Sequence, residues 1–101
     1  MKMLLIVFRQ SIVEQIHALL KEYEVNACTE LHNVAGRGET GPTVPFFLSP
    51  GANYIILTAV SEQVAYRLID AFTRLREEHE MRKHANAFSL HVFVLPCEQA
   101  V

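Results

Sequence analysis

Six stretches of the chain carry a regular apolar pattern, four of strand type and two of helical type. Residues 3–8 (M-L-L-I-V-F) form an unbroken apolar run of strand length, which predicts a central strand covered on at least one face. Ser11 follows as a candidate N-cap, and Glu14, three residues on, completes a capping box. Val13, Ile16, Leu20 and Tyr23, flanked by Ile12 and Leu19, then recur at helical spacing and predict an amphipathic helix. Residues 25–34 read as a less apolar strand, with Cys28, Glu30, His32 and Val34 on one face and Ala27, Thr29, Leu31 and Asn33 on the other. Residues 53–60 (N-Y-I-I-L-T-A-V), rich in β-branched and aromatic side chains, predict a third strand. Ser61 is a second N-cap, and Val64, Ala65, Leu68, Ile69, Phe72 and Leu75 form the stripe of a second helix. That helix runs into the charged stretch R-L-R-E-E-H-E-M-R-K-H-A-N, after which residues 88–95 (F-S-L-H-V-F-V-L) predict a fourth strand ended by Pro96.

The order is therefore βαββαβ. Two such halves with right-handed crossovers give an α+β, ferredoxin-like domain: a four-stranded antiparallel sheet with both helices on one face. A chain of 101 residues is one such domain, residues 1–101. The first, third and fourth strands are apolar at nearly every position, more than a sheet with one solvated face requires. The face without helices is thus expected to meet another copy of the chain, which predicts a homo-oligomer.

The second and third strands are separated by the least regular stretch of the protein, residues 36–53. The segment from Ala27 to Asn53 holds all four glycines and three of the four prolines. A connection of this length without periodicity is usually functional, so this loop is expected to be the working part. Its triplet Phe46-Phe47-Leu48 would not stay in water on a monomer, and it is expected to dock a partner or a neighbouring subunit.

Composition narrows the function by exclusion. A formal charge of −2 leaves no electrostatic footprint for nucleic acid or an anionic membrane surface. No segment approaches the roughly 18–20 apolar residues of a membrane span, and the apolar run after Lys2 stops at Arg9, too early for a signal-peptide core, so a cytoplasmic protein is expected. Cys28 and Cys97 form no disulfide framework and read as free thiols. There is no nucleophile with a base at recognisable spacing, no carboxylate pair in an apolar setting and no Walker-type loop, so an enzyme is not expected. Cys28, Glu30 and His32 share a strand face, and thiolate, carboxylate and imidazole together suit Zn²⁺ or copper, which makes them the candidate metal set.

With this element order and a glycine-containing excursion after the second strand, the chain resembles the PII signalling family over nearly its whole length. T-E-L-H-N-V-A-G-R-G looks like the strand leading into that family's T-loop, which residues 36–53 would represent, and V-F-V-L-P-C-E-Q-A resembles its last core strand. The chain is also similar to a divergent PII-like branch whose loop carries G-x-G-E-T-G-P and ends in P-G-x-N.

The resemblance implies a trimer with small-molecule sites in the clefts between subunits. Classical members bind ATP or ADP there and use the loop to dock on transporters, enzymes or regulators; members of the divergent branch are often associated with heavy-metal efflux. Carried over, Gly36, Arg37 and Gly38 are the loop base that contacts nucleotide, with Glu39 and Thr40 beside them. The family's glycine-rich phosphate segment has no counterpart in E-E-H-E-M-R-K-H-A-N, where Arg82 and Lys83 supply charge without a backbone nest. The family's C-terminal arginines have no counterpart after Glu98, and the loop has no tyrosine to be uridylylated. The leading expectation is a PII-like trimeric regulator whose effector is a small molecule, an adenine nucleotide first among them. The alternative is a metal-binding trimer similar to the CutA type, using Cys28, Glu30 and His32.

Overall fold

The computed structural model describes residues 1–38, 41–43, 53–81 and 89–101, with the backbone alone at 37, 38 and 41–43. In order the elements are β1 (Lys2–Arg9), α1 (Val13–Glu22), β2 (Thr29–Val34), β3 (Gly36–Gly38), β4 (Gly41–Thr43), β5 (Asn53–Val60), α2 (Glu62–Met81) and β6 (Leu90–Pro96). Four strands form one antiparallel sheet in the order β2-β5-β1-β6, the ferredoxin-like arrangement expected from the sequence. β1 is the strand that everything else is laid against: Leu5 lies opposite both Leu57 and Phe93, and Val7 opposite both Ile55 and His91.

The pleat divides these strands between two faces. Leu4, Ile6 and Phe8 of β1, Tyr54 and Ile56 of β5 and Leu90 of β6 are buried in one cluster with Ile12, Ile16 and Leu20 beside α1 and Ala65, Leu68 and Phe72 of α2. Both helices therefore cover the same face. The other face presents Met3, Leu5 and Val7 of β1, Ile55 and Leu57 of β5, and the exposed Leu31, Phe93 and Leu95, at 47%, 53% and 44%. Nothing in the described part of the chain buries these three.

Local structure departs from the sequence reading in five places. The capping box at Ser11 and Glu14 does not form. The chain leaves β1 through a 3₁₀ turn, Gln10–Ile12, and α1 begins after Ile12 with no side-chain cap bond, because that turn brings Ile12 into the core. At Ser61 the cap is present, its Oγ accepting from the Val64 N–H at 3.2 Å.

The second strand is shorter than residues 25–34. Helix α1 closes in a Schellman arrangement, the Glu24 N–H donating to Lys21 O at 3.0 Å and the Val25 N–H to Leu20 O at 2.8 Å. Val25 then packs on the core, and the Ala27 carbonyl is taken by the Thr58 hydroxyl at 2.8 Å instead of a strand partner.

β2 also carries a bulge. Leu31 pairs with Ile55 but Val34 with Asn53, so one extra residue lies on β2, and Asn33 absorbs it at φ 57°. Antiparallel partners share a face, so the bulge moves Val34 to the open face with Asn53, away from Glu30 and His32 with which simple alternation had grouped it.

Residues 36–43, expected to lack regular structure, include a small hairpin of β3 and β4, in which Gly36 pairs with Thr43, Arg37 with Pro42 and Gly38 with Gly41. The last strand, expected over 88–95, runs from Leu90 through Pro96; Phe88 lies outside the described residues.

Glu24 occupies the C′ position of the Schellman turn at φ 61°, a conformation that costs a residue with a Cβ about 1–2 kcal/mol and glycine little. Part of that gain is offset by the greater freedom of glycine in the unfolded chain. Glu24→Gly is therefore expected to raise the unfolding free energy by about 0.5–1 kcal/mol. The denaturation midpoint in urea measures it; a lowered midpoint at unchanged slope would contradict this account of the turn.

Candidate functional site

Where β2, β5 and the flank of α1 meet, four polar side chains gather on one carboxylate. Glu30 Oε1 accepts a short hydrogen bond from the Tyr54 hydroxyl and one from His17 Nε2 at 2.8 Å, and His32 Nε2 lies 3.8 Å from the same oxygen. The Cys28 thiol approaches Oε2 at 3.9 Å. Glu30 and His32 are brought together by the two-residue period of β2, and Tyr54 by the pairing of β2 with β5. His17 comes from the helix residue next to the buried Ile16.

Rings complete the cluster. Tyr54 is stacked between Phe8, at 5.0 Å and 27°, and His32, at 4.4 Å and 29°, while His17 meets it edge-on at 6.1 Å and 78°. Offset stacking and edge contact are the two favoured ring geometries, so the polar knot has an aromatic floor continuous with the core.

The electrostatics follow from this packing. Partial burial alone would raise the Glu30 carboxyl, but hydrogen bonds from Tyr54 and His17 and the charges of His17 and His32 outweigh it and hold the group below the usual carboxylate range. The Tyr54 phenol is pushed up to about 12, first by burial and then by its bond to Glu30 and that group's charge. Burial and the same charge also raise the Cys28 thiol. At neutral pH the cluster thus holds an ionised Glu30 beside a protonated phenol and a protonated thiol, with no activated sulfur nucleophile.

Cys28, Glu30 and His32, the candidate metal set, do come together. They do so as hydrogen-bonding neighbours, with Glu30 engaged by Tyr54 and His17, and among the described residues no three His, Cys, Asp or Glu side chains are arranged to hold a metal ion. His17 and Tyr54 were not singled out from the sequence. His17 had no signal beyond its position on the flank of the predicted stripe, and Tyr54 read as one more core aromatic.

The predicted effector residues lie past the end of β2. Gly36 and Gly38 end the three-residue strand β3 that carries Arg37, and no side chain is described at 37. A Cβ on Gly36 would stand 2.5 Å from Asn53 Nδ2, so the start of the 36–53 segment is packed directly against its end. A residue with a Cβ at 36 would oblige the Asn53 amide to shift. Glu39, Thr40, Arg82 and Lys83, and the docking triplet Phe46, Phe47 and Leu48, lie outside the described residues. A groove of about 350 Å³ between α1 and α2, lined by Leu19, Tyr23, Arg74 and Leu75 among others, contains none of the predicted site residues.

Comparison with known proteins now bears on this geometry. The family described as Nitrogen regulatory protein P-II matches residues 1–101. The chain belongs to the P-II family. Among solved structures it is similar to CPII, a nitrogen regulatory PII-like protein from Thiomonas intermedia K12, in a form bound to ADP, AMP and bicarbonate: 26% identity over 93% of this chain and 88% of that one, TM-score 0.70. A form of CPII bound to ADP and bicarbonate gives 27% identity over 92% and 81%, TM-score 0.72. A Thermus thermophilus protein described as PII-like shares the fold at 24% identity over 92% and 82%, TM-score 0.63. No curated protein matches the chain in sequence. The expected P-II resemblance is thereby established, and no helix among the described residues is long and apolar enough to cross a membrane.

Glu30 offers a test of the site's electrostatics in this P-II protein. Its folded-state pKa is depressed, so the stability it contributes is present above the unfolded-state value of about 4.3 and is lost as pH falls through the folded-state value. At pH 7, Glu30→Gln is expected to lower the unfolding free energy by about 1 kcal/mol, with the gap to the parent protein closing as the carboxylate protonates. Urea unfolding of both proteins across pH 3–7 measures this; a gap independent of pH would show that shape, not charge, is what Glu30 contributes.

Proposed function

We propose that this P-II protein is a trimeric regulator that takes an adenine nucleotide in the clefts between subunits, at the loop base formed by Gly36, Arg37 and Gly38. On this reading the 36–53 segment docks a regulated partner, a membrane transporter among the candidates. The observation that carries the proposal is the neck of that segment. β3 follows β2 directly, and Gly36 packs on Asn53 so closely that a bound group touching Gly36–Gly38 touches both ends of the loop. CPII, at 26–27% identity, bound ADP. Arg37 supplies the cation for phosphate, and Arg82 and Lys83 add charge where the family's glycine-rich segment has no counterpart. Phe46, Phe47 and Leu48 form the docking surface, and Glu39 and Thr40 complete the effector site.

The open sheet face supports assembly. Leu31, Phe93 and Leu95 are exposed on a face they share with Met3, Leu5, Val7, Ile55 and Leu57, and fully burying a side chain of this kind contributes about 1.5–3 kcal/mol, of which these half-buried residues have part still to gain. Other copies of the chain, closed into a ring of three, are the covering this reading assigns to that apolar face. The site chemistry fits a binding role: the Cys28 thiol and Tyr54 phenol stay protonated beside Glu30, so neither is an activated nucleophile.

Three measurements test this. In a thermal-shift panel with ADP, ATP, AMP, bicarbonate, 2-oxoglutarate and Zn²⁺, ADP at about a hundred times its Kd is expected to add about 2.7 kcal/mol and raise Tm by several degrees. Arg37→Ala is expected to weaken ADP binding about tenfold or more with Tm of the free protein unchanged. A response to Zn²⁺ alone would replace the nucleotide reading with the metal one. Phe93→Glu places a charge on the open sheet face and is expected to convert the trimer to monomers by light scattering; a trimer that survives it would move the interface elsewhere.

A further inference from the structure

We infer that Met1, Met3 and Cys97 form a three-sulfur site for a soft monovalent cation, copper(I), at the end of the sheet remote from the 36–53 segment. The Cys97 thiol lies 3.9 Å from the Met1 thioether, two sulfurs brought together from opposite ends of the sequence. Strand pairing does this. Lys2 pairs with Pro96 and Met3 with Leu95, so one further step along the ladder sets Met1 beside Cys97. Residues two apart on a strand share a face, which places Met1, Met3, Leu95 and Cys97 together on the open side of the sheet. Met3 and Cys97 are then diagonal neighbours across the β1–β6 ladder, about 7–8 Å apart and within reach of a long, flexible side chain.

The donor set selects the ion. Thioether sulfur is a poor partner for hard cations, and a thiolate with thioethers favours copper(I) over Zn²⁺, whereas the mixed donors Cys28, Glu30 and His32 suit Zn²⁺. The spacing adds a coordination number. With metal–sulfur bonds of about 2.3 Å, sulfurs 3.9 Å apart subtend about 116° at the metal, close to trigonal and far from linear. Two sulfurs at that angle leave a third position, which falls to Met3. Binding displaces the thiol proton, so the thiolate and the monovalent ion cancel, and a neutral complex suits a face that also carries Leu5 and Leu95. Met1 is 54% exposed and Cys97 partly buried, and both lie beyond the last registered pair, at the rim of the face that the trimer reading covers. At its other end β1 sets Arg9 opposite Asn53, seven residues and roughly 24 Å from Lys2, so the site is separate from the proposed nucleotide site.

Titration of the full-length protein with copper(I) under argon, in competition with a colorimetric copper(I) chelator, tests the assignment. One ion per chain is expected, with sulfur neighbours and no nitrogen in the X-ray absorption spectrum at the copper edge. Cys97→Ser is expected to weaken binding about a hundredfold or more and Met3→Leu about tenfold, while Cys28→Ser and Met81→Leu stay within about twofold of the parent. Leucine conserves the volume of Met3, and an unchanged Tm without metal shows that each variant is folded. Should Met3→Leu fail to fold, Cys97→Ser and the absorption spectrum decide alone. Copper binding by Cys97→Ser equal to that of the parent, a nitrogen neighbour on the metal, or equal losses in Cys28→Ser and Cys97→Ser would overturn the inference. So would a purified chain whose intact mass lacks Met1. ADP is expected to bind the parent and Cys97→Ser alike, and a loss of ADP binding in that variant would contradict the separation of the two sites.

Discussion

The constraint on which the rest depends is that β1 is apolar on both faces and hydrogen-bonded on both edges. Leu4, Ile6 and Phe8 point into the helix-covered core, and Leu5 and Val7 point the other way between Leu57, Ile55 and Phe93. A strand of this kind cannot be satisfied by one layer of helices. The helices settle one face, and the other requires protein that the described chain does not supply. Because the two central strands, β1 and β5, are paired along their length, the unpaired backbone of the sheet lies at its two edges, β2 and β6. β2 is one of those edges, and both the Glu30 cluster and the glycine hairpin are on it or follow from it.

An edge strand with few partners needs other anchors. β2 has registered pairs with β5 at Thr29, Glu30, Leu31 and Val34, interrupted by the bulge. The Glu30 carboxylate compensates by joining three elements at one point: β2 through its own backbone, β5 through the Tyr54 hydroxyl, and α1 through His17. Burial of the charge works against this knot, and the hydrogen bonds and imidazole charges outweigh burial, which is why the carboxyl is held low and not raised. The arrangement has the residue types of an acid–base or metal site, and its hydrogen bonds tie β2, β5 and α1 together at one point.

What the sequence made legible was what depends on local periodicity. The central strands, both helices, the Ser61 cap and the doubly apolar sheet follow from alternation and from the 3.6-residue stripe, which read directly from side chains. What it hid depends on contacts distant along the chain or on backbone geometry without a composition signal. The bulge at Asn33 is invisible to alternation, since one inserted residue leaves T-E-L-H-N-V looking like an ordinary strand, yet it decides that Val34 faces away from His32. His17 joins Glu30 only because α1 crosses the sheet at that point. Ser11 and Glu14 spell a capping box, but burying Ile12 in a 3₁₀ turn outcompeted a cap bond that is ordinarily about 1 kcal/mol. The candidate site was half legible: the glycines and the shared face of Cys28, Glu30 and His32 could be named, while their partners could not.

The neck of the 36–53 segment explains how an edge site could govern a loop. Val34 pairs with Asn53, and Gly36 sits against the Asn53 side chain, so both ends of the segment are fixed to the sheet at one place. A ligand seated at that place gains or loses contacts with both ends at once whenever the neck changes. It can shift the loop only by the difference in its affinity for the two arrangements, and about 1.4 kcal/mol of difference is a tenfold change in their ratio. A glycine that touches a side chain at the position of its missing Cβ is a sensitive place for such a difference to arise. The space a Cβ would take at Gly36 is where the Asn53 amide stands, so the two ends of the segment share one small volume. Coupling of this kind needs no long pathway through the core, because Glu30 ties β2 to β5 and α1 just before the bulge and the two ends of the segment meet just after it.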